Sequence, residues 1–476
     1  MQAEQEKLRK TIPIAAAGEE KTVSFYAAQQ KIYPRSIRGT FMAWRWALVW
    51  LTQIVFYGLP WLEWGQRQMV LFDLGARRFY WFGYVLYPQD FIYLTGLLII
   101  SALALFLFTA VAGRLWCGFS CPQTVYTEIF LWIERKVEGE RSARMRLDQG
   151  GWSGEKLAKK SLKQLLWVAV SLWTGFTFVG YFVPIRALGG ELLALQGGWQ
   201  IFWVLFYGLA TYGNAGYLRE QVCKYMCPYA RFQSAMFDKD TLIVSYDTQR
   251  GEPRSPRKKE LDHKAQGLGD CIDCKLCVQV CPVGIDIRQG LQYECIGCGL
   301  CADACNSVMH SMHYPRGLVR LSTQQALQHG WRHSDIVRRI ARPRVLIYGA
   351  ILLGLAVAMA ASLAVREPLK VDVLRDRAAL ARLVAGGQLE NVYRLQLMNA
   401  TEAPQTYRVQ VQGLDGMQLP GGALIEVGAA QTRGAPVRVQ IPYGSAPAGA
   451  HPITFTVQAL SGQGQVQEAS VFIVPR

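Results

Sequence analysis

Two stretches, CIDCKLCVQVCP at residues 271–282 and CIGCGLCADAC at residues 295–305, decide the fold in the middle of the chain. In both stretches four cysteines follow the spacing C-x2-C-x2-C-x3-C. Three thiolates of such a run bind three irons of a [4Fe–4S] cube, and the fourth ligand comes from the other run. The spacing therefore predicts a ferredoxin-type unit with two [4Fe–4S] clusters.

The same spacing assigns the ligands of the two clusters. The first cluster is expected on Cys271, Cys274, Cys277 and Cys305, and the second on Cys295, Cys298, Cys301 and Cys281. A pair of tetrahedral zinc sites is the alternative, because zinc also binds four thiolates. Two matched runs of four cysteines favour iron and sulfide over zinc.

Two more cysteine pairs precede these runs and share the spacing C-x3-C-P. They lie in RLWCGFSCP at residues 114–122 and in QVCKYMCP at residues 221–228, and CVQVCP inside the first run has the same spacing. Because proline is favoured at the first position of a helix, Pro122 and Pro228 are expected to begin helices. Cys121 and Cys227 would then be N-cap residues, where the helix dipole stabilises a thiolate.

Each C-x3-C-P pair follows an apolar segment and precedes an amphipathic one, so the chain contains an internal repeat. Both copies are expected at the same face of a membrane, where four thiols would form one soft-ligand site for which Cu(I) is a preferred ion. These thiols are Cys117, Cys121, Cys223 and Cys227. Inert buried thiols, a structural metal site and a third cluster are the alternatives. His310 and His313 follow the second run and are left out of this site.

Five apolar segments approach or exceed the roughly 20 residues that cross a bilayer. They lie at about 41–61, 91–112, 164–185, 199–217 and 344–365. The first begins after some forty polar residues and lacks a small-residue cleavage site, so no signal peptide is expected. The pattern predicts five transmembrane helices. Arg45, near the start of the first, is expected to reach the headgroups.

Charge predicts the orientation of these helices. Lys and Arg number 7 in residues 1–40, 10 in 112–164 and 19 in 218–344, against 3 in 62–90 and 1 in 186–198. The positive-inside rule therefore places the N-terminus and both basic connections in the cytoplasm. An odd number of spans then exports the C-terminal part.

Cysteine usage agrees with this orientation. All 12 cysteines lie on the expected cytoplasmic side or at its membrane edge, and none lies in residues 366–476. Spaced cysteines in a reducing compartment are more often metal ligands than disulfides. The net charge of +16 belongs to the membrane connections, so nucleic-acid binding is not expected. No Walker A or GxGxxG motif indicates a nucleotide-binding loop, and the lack of C-x-x-C-H excludes the signature of a c-type haem.

The last part of the chain has a different pattern, with short alternating runs such as VYRLQLMN and ITFTVQAL separated by Gly, Pro, Asn and Ser. This pattern predicts an antiparallel all-β sandwich. The expected organisation is a cytoplasmic tail (1–40), a membrane domain with four spans and both C-x3-C-P motifs (41–247), a linker and ferredoxin domain (248–343), a fifth helix (344–365) and a periplasmic sandwich (366–476).

Taken together, WCGFSCPQT, VCKYMCPYARFQ, the paired runs and YPRGLVR at residues 314–320 resemble the CcoG/FixG/RdxA family of cytochrome c oxidase accessory proteins. The resemblance extends over nearly the whole chain. It implies a multi-pass protein of the bacterial inner membrane with two [4Fe–4S] clusters and a C-terminal Ig-like domain. It also implies reduction of Cu(II) to Cu(I), with copper as substrate or transient ligand, in support of cbb-type oxidase assembly.

The expected partners are the lipid bilayer, oxidase assembly factors, copper chaperones and an unknown cytoplasmic electron donor. Two other functions are compatible with the sequence. One is a quinol-linked electron-transfer subunit of a periplasmic reductase pathway, and the other is a copper-binding assembly scaffold without catalytic activity. Catalytic Cu(I) production would distinguish the cupric reductase from both.

Overall fold

The computed structural model describes residues 31–260, 262–376, 381–422, 424–461 and 464–475, so residues 1–30 of the expected N-terminal tail lie outside it. The helices are α1 (Thr40–Gly58), α2 (Phe91–Ala112), α3 (Leu115–Phe119), α4 (Pro122–Glu138), α5 (Arg141–Gln149), α6 (Gly154–Val179), α7 (Ile185–Leu193), α8 (Gly198–Thr211), α9 (Pro228–Met236), α10 (Thr248–Gly251), α11 (Leu276–Gln279), α12 (Leu300–Met312), α13 (Gln324–His329), α14 (His333–Ile340) and α15 (Pro343–Ala364). Two π-helical segments, Tyr212–Leu218 and Val222–Met226, follow α8.

The strands group into three small sheets and one sandwich. They are β1 (Glu63–Trp64), β2 (Arg67–Gln68), β3 (Val70–Asp73), β4 (Arg78–Trp81), β5 (Tyr84–Leu86), β6 (Ile243–Tyr246), β7 (Val319–Ser322), β8 (Leu369–Arg375), β9 (Arg382–Val384), β10 (Gln388–Asn399), β11 (Gln405–Gln412), β12 (Leu424–Val427), β13 (Thr432–Pro442), β14 (Gly449–Ala459) and β15 (Gln465–Val474).

In the described part of the chain, three helical segments are long and apolar enough to span a membrane: Pro88–Ala112, α6 and α15. A fourth span is possible if α7 and the segment Gly198–Leu218, which meet at 101°, count as one bent unit. Helix α1 forms where the first span is expected but is not among these segments. Arg45 and Gln53 lie within it and lower its apolarity. The membrane character is therefore established, whereas the count of five spans is not.

The expectation that Arg45 reaches the headgroups is wrong. Its side chain is 2% exposed, and its Nη2 lies 3.0 Å from Oε2 of Glu128 on α4. The amphipathic helix α4 packs beside α1 and supplies this buried carboxylate. A long cationic side chain extends towards water only where no closer partner compensates its charge.

Close helix contacts hold the membrane part together. Helix α2 packs against α15, and α6 packs against α8. At the second contact a Cβ on Gly175 would lie 2.3 Å from the carbonyl oxygen of Val204, so only glycine permits this approach. Large apolar side chains such as Ile92 and Leu353 are exposed on the outer faces, as expected for surfaces that contact lipid.

The ferredoxin unit begins earlier than the sequence indicates. Strand β6 pairs antiparallel with β7, with Ile243 opposite Ser322, and the two strands bracket both cysteine runs. Two buried apolar clusters fill the unit, one around Met309 and Leu318 and the other around Ile296 and Val280. The structure therefore extends this unit to Ile243.

The C-terminal residues form the expected all-β sandwich. One sheet has the order β13-β10-β8 with β9 also paired to β10, and the other has the order β12-β11-β14-β15. The fully buried Tyr393 and Phe455 contact each other edge to face between the sheets. Alternating burial along β10 and β14 produces this core.

A small antiparallel sheet, β3-β4-β5, joins the sandwich to the membrane helices. Leu71, Tyr80 and Val85 pack against Met398 and Ala430 of the sandwich. From the sequence, residues 62–90 are expected only to be a connection with few Lys and Arg. The aromatic-rich segment RFYWFGYVL at residues 78–86, interrupted by one glycine, is the signal that predicts this sheet.

Candidate redox site at the membrane edge

The structure brings the cysteines of the two runs together across the runs. One cavity is lined by Cys271, Cys274, Cys277 and Cys305. A second is lined by Cys281, Cys295, Cys298 and Cys301, with Cys277 also at its wall. Each cavity thus receives three cysteines from one run and a fourth from the other, which is the arrangement that the spacing predicts.

Both runs adopt the same backbone path. The residues two and four positions after the first cysteine have positive φ in each run: 49° and 56° at Asp273 and Lys275, and 69° and 72° at Gly297 and Gly299. Glycine adopts this conformation without strain, whereas Asp and Lys do not. Arg288 forms ion pairs with Asp273 and Asp286 and so holds the first loop in place.

The chemistry of the donor set fits an iron–sulfur cluster. Apart from the cysteines, the second cavity is lined by Val, Ile, Leu and Gly. Burial raises the pKa of the Cys277 thiol to about 11 and that of Cys305 to about 12. A thiolate in such surroundings is stable only beside a compensating cation. The eight cysteines are therefore suited to bind iron, with little competition from water.

The predicted N-caps at the membrane edge are confirmed. Cys121 precedes α4 and Cys227 precedes α9, both with extended backbone, and Pro122 and Pro228 begin these helices. The predicted lowering of the pKa is wrong for Cys121. Burial raises the pKa of its thiol and outweighs the backbone N–H groups of Gln123 and Thr124, which act in the other direction.

The two C-x3-C-P motifs lie side by side. As thiolates, Cys117 would be repelled by Cys121 and Cys223, and Cys121 by Cys227, which places the four sulfurs near one another. Burial raises the pKa of Cys117 to about 12 and that of Cys223 to about 11. Among the described residues, no three Cys, His, Asp or Glu side chains converge closely enough to hold one metal ion. The four thiols are therefore neighbours, but no three of them meet at one point.

The first C-x3-C-P turn is in direct contact with the second cysteine run. A Cβ on Gly118 would lie 2.8 Å from the carbonyl oxygen of Ile296 and 2.9 Å from Cα of Cys298. Cys117 packs against the apolar cluster that contains both residues. The membrane-edge thiols and the second cluster cavity are therefore adjacent parts of one site.

A buried arginine connects the two groups of cysteines. Arg114 is 5% exposed, and its guanidinium donates to the carbonyl of Ala230 on α9. Burial raises the pKa of Cys117, Cys223 and Cys295, and the positive charge of Arg114 opposes this rise without cancelling it. Arg114 is not among the site residues predicted from the sequence. The signal was an arginine shortly before each C-x3-C-P pair.

A buried amide completes this environment. Gln233 of α9 is fully buried, and its Oε1 accepts a weak hydrogen bond of 3.4 Å from Sγ of Cys117. Its Nε2 has no partner among the described residues. An amide in this state is available to donate to a ligand on the thiols.

The ferredoxin unit also holds the first helix. Asp303 lies between two ligand cysteines on α12, and its carboxylate accepts from the backbone N–H groups of Phe41 at 3.3 Å and Met42 at 2.9 Å. These are free donors at the start of α1. The contact fixes the position of the ferredoxin unit against the membrane helices.

The internal repeat is visible in the backbone. Gly113 and Arg219 both lie four residues before the first cysteine of their pairs, with φ/ψ of 54°/−113° and 41°/−112°. Arg219 adopts this glycine-like conformation while its guanidinium contacts Glu134 at 2.7 Å. The two copies therefore break their helices in the same way before each thiol pair.

The histidines left out of the site lie beside it. His310 is exposed on α12, and His313 ends this helix with a φ of 60°. Met309, in the same segment, is buried against the first cavity. Only Met309 therefore contributes to the surroundings of the cysteines, and it does so as an apolar side chain.

Family models match most of the chain. A 4Fe-4S dicluster domain matches residues 218–324, and a 4Fe-4S binding domain matches residues 94–139. An IG-like fold at the C-terminal of FixG matches residues 359–475. The two iron–sulfur matches together include all twelve cysteines.

Similar proteins cover nearly the full length. Protein RdxA of Cereibacter sphaeroides is 38% identical over 441 residues, which are 90% of this chain and 92% of RdxA. Nitrogen fixation protein FixG of Rhizobium meliloti is 37% identical, covering 82% of this chain and 80% of FixG. The crystal structure of a FixG-related protein from Vibrio parahaemolyticus matches 23% of this chain and 97% of its own, at 26% identity and a TM-score of 0.21.

Proposed function

Because the chain belongs to the CcoG/FixG/RdxA family, we propose that it is a membrane-bound iron–sulfur protein that reduces Cu(II) to Cu(I). The proposed site of reduction is the group of membrane-edge thiols, and the product Cu(I) serves the assembly of a cbb-type cytochrome c oxidase. The proposed location is the bacterial inner membrane. The N-terminus and ferredoxin unit face the cytoplasm, and the sandwich faces the periplasm.

The observation that carries this proposal is the contact between Gly118 and Cys298. The C-x3-C-P turn and the second cysteine run touch through backbone atoms, so a one-electron carrier and a soft-ligand site are neighbours. Bound [4Fe–4S] clusters supply one-electron transfer, which matches the one-electron copper couple. Such adjacency is not needed if the thiols are only structural.

The chain's own residues have distinct roles in this proposal. Cys117, Cys121, Cys223 and Cys227 bind copper through their thiolates, for which Cu(I) has a preference. Arg114 is a positioning residue, because its buried positive charge partly offsets the burial that raises the pKa of Cys117 and Cys223.

The two cysteines of the first C-x3-C-P pair test this function. In the double variant Cys117→Ser, Cys121→Ser, Cu(I) production with dithionite as reductant should fall at least tenfold, since two soft ligands are lost. Iron and sulfide contents should stay at those of the unchanged protein. Retained Cu(I) production would contradict the proposed role of the thiols.

The cluster ligands need a separate test. Replacing Cys274 by Ser should remove one cluster signal from the electron paramagnetic resonance spectrum of the reduced protein, and replacing Cys298 by Ser should remove the other. If anaerobically purified protein contains zinc and lacks inorganic sulfide, the assignment of these cysteines as [4Fe–4S] ligands is contradicted.

A further inference from the structure

A cavity of about 270 Å³ lies beside the redox site and has no role in the proposed reaction. It forms between α4, α6 and the π-helical segment that follows α8. Its wall combines apolar and aromatic side chains such as Leu131 and Trp167 with polar ones such as Glu134, Glu220 and Gln221. This mixture of aromatic, apolar and polar side chains is typical of a site for an amphipathic small molecule.

The buried charges at this wall are already paired. Glu134 contacts Arg144 at 3.1 Å and Arg219 at 2.7 Å, and Glu138 contacts Lys163 at 3.0 Å. A free phosphate or lipid headgroup would have to compete with these carboxylates for the same cations. The cavity therefore favours an uncharged ligand with polar groups.

Two polar side chains at the wall remain available for such a ligand. In the part of the chain that the structure describes, Glu220 and Gln221 make no side-chain hydrogen bond and no ion pair. A carboxylate accepts a proton or a hydrogen bond, and an amide both donates and accepts. Together they match a ligand that carries hydroxyl or carbonyl groups and releases protons.

The rim of the cavity is next to the lipid. Gln164 and Tyr217 form a hydrogen bond of 3.0 Å at the rim, and Tyr217 is 58% exposed. Leu165 and Val168 follow Gln164 on α6, and both are exposed on a helix apolar enough to span the membrane. A molecule dissolved in the bilayer therefore reaches the cavity without crossing the ferredoxin unit.

The inner end of the cavity leads to the redox site. Pro282, at its wall, follows the cluster-cavity cysteine Cys281. A smaller adjoining cavity shares Arg219, Glu220 and Pro282 with it and also reaches Cys223. A redox-active ligand bound here lies between one cluster cavity and the membrane-edge thiols.

We propose that this cavity binds a quinol from the bilayer and that the quinol is the electron donor for copper reduction. The inference rests on the proposed function. One quinol loses two electrons and two protons to become a quinone, and two Cu(II) ions gain one electron each to become two Cu(I). Glu220 accepts the proton of one quinol hydroxyl, Gln221 binds the second oxygen, and the proton of the second hydroxyl is released to water.

Binding is tested first, on the full-length protein in lipid nanodiscs. A photoreactive azidoquinone should label peptides from residues 160–168 or 212–221. The cavity-filling variant Gln221→Trp should lower this labelling at least tenfold, whereas Gln196→Trp, outside the cavity, should not. Labelling confined to other peptides, or unchanged in Gln221→Trp, would overturn the proposal, and so would recovery of phospholipid in place of quinone from the cavity.

Turnover is tested with menadiol as donor. Cu(I) formation driven by menadiol should fall at least tenfold in Glu220→Gln and remain unchanged in Glu155→Gln, an exposed carboxylate on α6. The same proteins are then supplied with dithionite. Dithionite-driven Cu(I) formation without any menadiol-driven formation would refute the quinol site alone, and loss of both would refute the copper reductase itself.

Discussion

A side chain at position 118 would collide with the backbone of the second cysteine run. Gly118 has no Cβ, and the turn CGFSC therefore rests on Ile296 and Cys298. The adjacent Arg114 is buried within the same contact. Gly118, which has no side chain, and the buried Arg114 together determine how closely the membrane-edge thiols approach the second cysteine run.

Replacing Gly118 by Ala should separate the two groups without removing a ligand. Overpacking of this kind costs about 1–3 kcal/mol, which the turn relieves by moving away from the second cysteine run. We expect iron and sulfide contents to be unchanged and dithionite-driven Cu(I) production to fall. Gly151→Ala is the matched control, because nothing lies within 4 Å of the added carbon. Equal rates in the two variants would show that the contact has no role in electron transfer.

The cysteines could be predicted from the sequence and their environment could not. Spacing alone gives the two runs, the N-cap positions of Cys121 and Cys227, and the grouping of the twelve thiols. The contact at Gly118 depends on how distant segments pack, which spacing does not encode. The pKa of Cys121 depends on burial, which here outweighs the helix dipole that the local sequence indicates.

At the scale of elements, helix α1 and the ferredoxin helix α12 stabilise each other. Asp303 of α12 accepts from two backbone N–H groups at the start of α1, where no side chain of α1 itself provides a cap. The carboxylate also lies at the positive end of the α1 dipole. This contact joins the ferredoxin unit to helix α1 at Asp303, two residues after the cluster cysteine Cys301.

Removing this cap should weaken the joint. In Asp303→Ala the loss of an N-cap is expected to cost about 1 kcal/mol, which lowers the melting temperature by at most about 2–4 °C, the shift for a unit of roughly 150–250 residues. Loss of cluster absorbance on heating measures the change. Asp415→Asn, an exposed carboxylate in the sandwich, serves as control. A melting temperature equal to that of the control would exclude a stabilising cap.

A second link joins the segment before α1 to the end of α5 and the first half of α6. Asp148 accepts from Lys31 at 2.8 Å and from Tyr33 at 2.6 Å, and Lys160 also contacts it. Burial would raise the pKa of this carboxyl, but hydrogen bonds from Lys160, Lys31 and Tyr33 outweigh it and hold the pKa below its usual value.

The sign of this shift predicts the response to pH. Because the folded pKa is depressed, the stabilisation is fully present above the unfolded value of about 3.9 and is lost as pH falls below it. We therefore expect residues 31–39 to resist limited proteolysis equally from pH 8 to pH 5 and to become sensitive below about pH 4. In Asp148→Asn the segment should be sensitive at pH 7. Resistance of that variant at pH 7 would contradict the role of the link.

Elements with a strong local pattern were predictable, and elements that depend on partners were not. The sandwich follows from alternation, and the apolar helices α2, α6 and α15 follow from composition. Helix α1 is different, since Arg45 and Gln53 within it are compatible with a span only in the presence of α4 and its Glu128. Strands β6 and β7 are separated by more than seventy residues, so their pairing is not visible in either segment.

At the scale of the whole molecule, a buried charge reinforces the junction that the sheet β3-β4-β5 makes between the sandwich and the membrane helices. Asp90, at the start of α2, is 4% exposed and contacts Arg366 at 2.6 Å as well as Lys370. Tyr87 adds a hydrogen bond of 2.9 Å to the carbonyl of Asn399. This junction lies at the opposite end of α2 from the thiols.

The junction should matter for assembly and not for electron transfer. Replacing Asp90 by Ala leaves Arg366 buried without its partner, which costs about 3–5 kcal/mol. We expect faster proteolytic release of the sandwich, with dithionite-driven Cu(I) production unchanged. Asp372→Ala, at an exposed contact with Gln89, is the control. A fall in Cu(I) production without release of the sandwich would show that the two ends of the molecule are coupled.

The contact between Gly118 and Cys298 also has a consequence for biosynthesis. The turn at residue 118 leaves the ribosome about 180 residues before Cys298, a delay of roughly 9–36 s at bacterial elongation rates. The helices before this turn are therefore synthesised before the second cysteine run exists. Until the ferredoxin segment packs onto it, the backbone surface at Gly118 is uncovered.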